Sequence, residues 1–237
     1  MEYQSRDDRY GFIGKSESEG FAVVFPNGYS RLRSGKLATW NAGACCGDAR
    51  DEKIDDVGFI RDLLIQLRGQ IKVDDTRIFA AGMSNGAMIS YRLACEMPGT
   101  FRAIMAVAGT DNTLDCAPAK PISVLHIHAR NDDHVLFDGG VGPGARDPKK
   151  VTEFKSVPAT IAKWVKLNGC KADTTRTLEV PGAVCNVHAA CNGGVRVQLC
   201  TTDKGGHSWP GGAKPRSGEP PSKALSATDV MWDFFRQ

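Results

Sequence analysis

Short apolar runs alternate along this chain with longer stretches whose apolar residues recur at helical spacing. That alternation constrains the fold more than any other feature of the sequence. Residues 21–25 (FAVVF) read as a buried strand ended by Pro26, Asn27 and Gly28. Residues 77–81 (RIFAA), 103–108 (AIMAVA), 122–128 (ISVLHIH) and 195–201 (VRVQLCT) read as further strands. Residues 54–67, 85–97, 151–167 and 222–235 read as helices, several of them closed by Gly or Pro-Gly. Strands alternating with helices call for an α/β fold with a mostly parallel sheet and helices on both faces. A run as continuously apolar as AIMAVA suits a strand covered on both sides. Segments 29–50, 138–150 and 211–221 are rich in Gly, Pro and charge and read as long loops.

A chain of 237 residues fits one domain of this class, with residues 1–20 as a polar segment ahead of a domain over 21–237. The formal charge of +3 is scattered, and no stripe of Lys or Arg stands ready to neutralise phosphates, so nucleic acid is not an expected partner. No apolar run approaches the roughly 18 to 20 residues needed to span a bilayer, so no membrane is expected either. The polar start, residues 1–8, lacks the apolar core of a signal peptide. Eight cysteines, at 45, 46, 95, 116, 170, 185, 191 and 200, have no zinc-site spacing. Their even number points to disulfides and a secreted or periplasmic protein, with Cys170, Cys185, Cys191 and Cys200 pairing among themselves.

The sequence Gly82-Met83-Ser84-Asn85-Gly86 matches G-x-S-x-G and sits between the RIFAA strand and a helical stretch. A nucleophilic serine needs this placement, on a sharp strand-to-helix turn at the carboxyl end of a sheet. Small flanking residues permit the turn. The helix N-terminus, beginning with the Asn85 N–H, favours a developing oxyanion. The bland alternative is a plain turn with a serine cap.

The general base is expected on a loop after the last strand, and His207 lies there within Gly205-Gly206-His207-Ser208-Trp209-Pro210-Gly211-Gly212. His126 and His128 alternate along one strand and so share a face, which suits a packed or hydrogen-bonded role, while His134 and His188 fall in loops. The acid is expected after the strand that precedes the base, where Asn131-Asp132-Asp133 stands. Local physics does not separate Asp132 from Asp133. The order Ser, Asp, His along the chain is that of an α/β-hydrolase.

GMSNGAMISYRLACE around Ser84, WNAGACCG at 40–47, DDVGFIRDL at 55–63 and GGHSWPGG at 205–212 resemble the extracellular polyhydroxybutyrate depolymerase and feruloyl esterase family, over roughly residues 20–237. The resemblance implies an α/β-hydrolase that cleaves carboxylic esters through an acyl-enzyme, without metal or cofactor. It implies hydroxyalkanoate, feruloyl or acetyl esters as substrates. The register of the family's H-G-x-x-D-x-x-V segment on 128–135 selects Asp132, with Ala129 in place of Gly. Trp40 and Trp209 are candidates for the walls of the substrate site, or else core aromatics. Family members carry further N-terminal strands, one of them with a His-Gly loop that supplies half of the oxyanion hole. Residues 1–20 do not match it, so the fold is expected to be N-terminally abbreviated, with a gap between the FAVVF strand and the strand feeding Ser84. The same triad also serves acyltransferases and peptidases, and a catalytically impaired fragment is the reading from outside enzymes.

Overall fold

The computed structural model describes residues 8–145, 153–213 and 218–237. A six-stranded sheet runs in the order β1-β2-β3-β6-β5-β4. β1 (Phe79–Met83), β2 (Ala103–Val107), β3 (Ser123–Ala129) and β6 (Val197–Thr202) are parallel. β5 (Ala183–His188) and β4 (Thr175–Val180) close one side as an antiparallel hairpin. The described helices are α1 (Phe12–Glu19), α2 (Gly47–Asp51), α3 (Asp56–Gln70), α4 (Asn85–Glu96), α5 (Val157–Leu167) and α6 (Ala227–Phe235).

The period of two along each strand sorts the core into two layers. Ile104, Ala106, Val124 and Val197 face one way and pack with residues of α3, α4 and α5, among them Val57, Met88 and Trp164. Met105, Val107, Leu125, Ile127 and Cys200 face the other way and pack with α6, Trp209 and the stretch that leads into α1. Serines and aspartates start the helices for a local reason, since their side chains accept otherwise orphaned amides. Asp55 Oδ1 accepts from Gly58 N at 2.8 Å, and Ser156 Oγ accepts from Ala159 N at 3.1 Å.

The expected α/β class, with a mostly parallel sheet and helices on both faces, is what the chain adopts. The FAVVF strand is a correction. Residues 21–25 pair with no strand, and β1 itself forms the edge of the described sheet, so the expected gap in the ladder does not arise. An apolar run becomes a strand only where a ladder partner takes its backbone groups. Here the aromatics pack on helices instead: Phe21 stacks on Trp232 at 4.5 Å, and Phe25 meets Phe12 edge-on at 6.1 Å. The polar N-terminal stretch, in turn, holds a helix. The helix expected over 151–167 starts at Val157, and residues 151–152 lie outside the described residues. The β4–β5 hairpin lies outside the expected strands.

All eight cysteines pair, as 45–46, 95–116, 170–191 and 185–200. The expected pairing within the four C-terminal cysteines therefore holds. Cys185 and Cys200 stand directly opposite each other in the β5–β6 ladder. Among the described residues no helix is long and apolar enough to cross a membrane.

Candidate active site

Ser84 joins β1 to α4 with φ 56° and ψ −124°, a conformation that L-residues seldom adopt. Such strain persists only where the surroundings over-determine it, and here they do. Ser84 N donates to Val107 O at 2.8 Å, and Ser84 O accepts from Ala87 N and Met88 N at 3.0 and 3.1 Å. The turn brings β1 and α4 so close that a Cβ on Gly82 would stand 2.2 Å from Gly86 O. The loop after β2 crosses just as closely, since a Cβ on Gly109 would meet Ser84 O at 2.3 Å. The Asn85 side chain faces away from the serine hydroxyl's task. Its Oδ1 accepts from Trp40 N at 2.6 Å and its Nδ2 donates to Trp40 O at 2.9 Å, which ties the 40–46 loop to the turn.

Asp132 follows β3 and is buried. Its Oδ1 accepts from the amides of His134 and Val135 at 2.8 and 3.0 Å. His207 follows β6, and its Nδ1 lies 3.0 Å from Asp132 Oδ2 and 3.1 Å from Oδ1. The His128 ring reaches Oδ2 at 3.3 Å. Burial pushes the Asp132 carboxyl up, but the hydrogen bonds from His128 and His207 outweigh it and hold the group well below the usual carboxylate range. Asp133 is exposed and turns to His134 Nδ1 at 2.6 Å, so the structure separates the two neighbouring aspartates and puts Asp132 on His207. No hydrogen bond joins Ser84 Oγ to the His207 ring among the described residues. Such contacts commonly tighten only with substrate in place.

A depressed carboxyl contributes stability that is present above its unfolded value, about 3.9, and is lost as pH falls through the lower folded value. The melting temperature of the wild type should therefore exceed that of Asp132→Asn most above about pH 5, and the gap should shrink toward pH 3. Thermal unfolding followed by circular dichroism over that range checks this. A gap independent of pH would show that the carboxylate is not held by these donors.

Three neighbours of the site carry no local sequence signal. Asn131 Oδ1 accepts from Gly206 N at 3.0 Å and so ties the acid loop to the base loop. The His134 ring stacks on His207 at 4.5 Å and 16°. Tyr10 stacks on Trp209 at 4.4 Å, and its hydroxyl reaches Met83 Sδ at 3.3 Å, one residue before Ser84. Its glycine neighbours place the base as well: Gly205 and Gly206 have φ 123° and 54°. Trp209 is 2 % exposed with its indole N–H on Thr228 Oγ1 at 3.0 Å, and Trp40 is 6 % exposed.

Ligand atoms of Asp132, His134 and His207 lie within 4.8 Å of one another. The His134 and His207 rings there are nearly parallel, and the Nδ1 atoms of both face carboxylates. The donor set is suited to zinc in kind, and the same contacts also orient the His207 imidazole.

No family model matches the chain. It is 33% identical over 226 residues to feruloyl esterase B of Piromyces equi, covering 93% of this chain and 37% of that protein. It is 28% identical over 242 residues to the putative esterase NocK of Nocardia uniformis subsp. tsuyamanensis, covering 95% of this chain and 68% of that protein. The bifunctional acetylxylan esterase/xylanase XynS20E of Neocallimastix patriciarum is 23% identical over 227 residues, with 94% of this chain matched to 27% of that protein. The chain thus spans well under half the length of the first and third of these relatives. Its mostly parallel sheet covered by helices, and its similarity to these esterases, are those of an α/β-hydrolase-like fold.

Proposed function

We propose that this chain hydrolyses carboxylic esters through an acyl-enzyme formed on Ser84. His207 takes the serine proton and returns it to the leaving alcohol, and Asp132 fixes the imidazole tautomer and stabilises the imidazolium. The observation that carries this reading is the contact of His207 Nδ1 with the Asp132 carboxylate at 3.0 Å, which directs the ring's other nitrogen outward as a base. Ser84 at the strained turn and the names of the relatives support it.

The Asn85 N–H, first in α4, donates to the oxyanion. Relatives named for feruloyl and acetylxylan esters favour aromatic or acetyl esters of plant polysaccharide, ahead of hydroxyalkanoates. The burial of Trp40 and Trp209 favours packing beneath the site over direct contact with substrate. Four disulfides favour an extracellular setting.

A fluorophosphonate probe tests the assignment. Peptide mapping should find one adduct, on Ser84, and His207→Ala should prevent it. An adduct elsewhere, or none on folded protein, would remove the basis for a serine mechanism.

A further inference from the structure

Tyr91, His126 and His128 are fully buried, polar, and idle in the reaction just described. They form a single row. Tyr91 Oη lies 2.7 Å from His126 Nδ1, His126 Nε2 lies 3.1 Å from His128 Nδ1, and His128 Nε2 lies 2.8 Å from Val135 O. The row ends on the triad's acid, because His128 Nε2 is also 3.3 Å from Asp132 Oδ2.

The direction of the row follows from its last acceptor. A carbonyl oxygen only accepts, so the proton of His128 sits on Nε2. Burial holds His126 well below the usual imidazole range, so that ring is neutral and carries one N–H. If that proton is on Nε2 it serves His128 Nδ1, and Tyr91 donates to His126 Nδ1. Every group is then satisfied. If the row ran the other way, the Tyr91 hydroxyl proton would be buried without an acceptor, which is costly. The satisfied arrangement leaves one N–H, on His128, aimed between Val135 O and the carboxylate. Val135 also gives its own amide to Asp132 Oδ1, so His128 and Val135 grip the carboxylate from two sides.

We propose that His128 is a positioning residue for the Asp132–His207 pair, kept in its donating tautomer by Tyr91 and His126. The inference rests on the catalytic reading above. Without the Nε2–H, Oδ2 loses a partner and the carboxylate is free to turn in its plane away from His207 Nδ1. Misplacement of a group that orients a base lowers turnover more than it changes substrate binding.

The experiment compares His128→Leu, His128→Gln and Tyr91→Phe with wild type. Hydrolysis of 4-nitrophenyl acetate gives kcat and KM, fluorophosphonate labelling of Ser84 gives a second rate, and thermal melts report folding. His128→Leu should lower kcat and the labelling rate on the order of 10- to 100-fold, the usual loss when an outer partner of a site is removed, with KM little changed. His128→Gln places an amide N–H near the position of Nε2 and should recover most of that loss at a similar melting temperature. Unchanged kcat in His128→Leu would overturn the proposal. So would equal losses in the Leu and Gln variants, which would mean that the imidazole is needed only for packing. If His128→Leu does not fold, Tyr91→Phe decides. A several-fold drop in kcat at constant KM and melting temperature supports the row, and an unchanged kcat overturns it. Ser84→Ala run alongside keeps the two ideas apart, since activity surviving there defeats the triad reading itself.

Discussion

Ser84→Ala is expected to lower ester turnover by roughly 10⁴- to 10⁶-fold and to leave the melting temperature close to that of the wild type. On the proposed mechanism the loss is large because serine, base and acid would act as a unit, so removing the atom that forms the acyl bond would also idle the other two. The fold should not notice. Everything that holds this residue in its left-handed conformation comes from its backbone, through Val107 O and the amides of Ala87 and Met88. No side-chain cap is lost, because the Ser84 hydroxyl does not cap α4. Steady-state kinetics on 4-nitrophenyl acetate, paired with a thermal melt, checks both halves. Substantial turnover in folded Ser84→Ala would place the nucleophile elsewhere.

Gly82→Ala should be severely damaging to both stability and turnover. The added carbon would stand 2.2 Å from Gly86 O, 2.3 Å from Gly86 C and 2.9 Å from Ala87 N. All three are backbone atoms of α4, so no change of rotamer relieves the clash. The strand and helix must part, at a cost of about 3 kcal/mol or more for overpacking a tight site. For a chain of this length that is a fall of roughly 6 to 12 °C in melting temperature. Parting them also moves the amide of Asn85 relative to Ser84, so turnover should fall even at temperatures where the variant stays folded. Gly86→Ala is the internal control. Its Cβ meets nothing within 4 Å, and it lies inside a helix, where alanine is favoured over glycine by about 0.5–1 kcal/mol. A melting temperature for Gly82→Ala equal to that of Gly86→Ala would refute the close-crossing account.

The sheet beyond residue 77 is readable from the chain because parallel strands buried on both faces must be apolar throughout, as AIMAVA is. The same rule misleads at FAVVF, since an apolar run says nothing about whether a neighbour is there to pair with it. The β4–β5 hairpin fails in the opposite way. TRTLEV is exposed at every position but Leu178 and forms no apolar run. Its signal is Pro181-Gly182, a turn between two short stretches of which the first is polar. At the site, chain order and loop position suffice to bring Asp132 and His207 to each other. Asn131 on Gly206, and Tyr10 with its backbone carbonyl on Thr228 Oγ1, join residues 75 and 218 positions apart, and no local pattern encodes such contacts. His128 was visible as a histidine on a shared face, but its bond to Asp132 depends on how the chain turns after β3.

The covalent tie between Cys185 and Cys200 has a consequence for accuracy. A strand can slide along its neighbour without turning its buried face to water only in steps of two residues. Each such step would carry everything downstream by about 6.6 to 6.8 Å. A slip of β5 on β6 would carry the β4–β5 hairpin away from its place, whereas the reach of His207 to Asp132 is set by the register of β6 on β3. Alternating burial along β5 discriminates against odd slips and is nearly blind to even ones. The bond between opposite cysteines forms only when the two strands are in register, and afterwards forbids every other alignment. An oxidant thus acts on this chain as a proofreader: it writes into covalent structure one alignment of the hairpin on the strand that leads to His207.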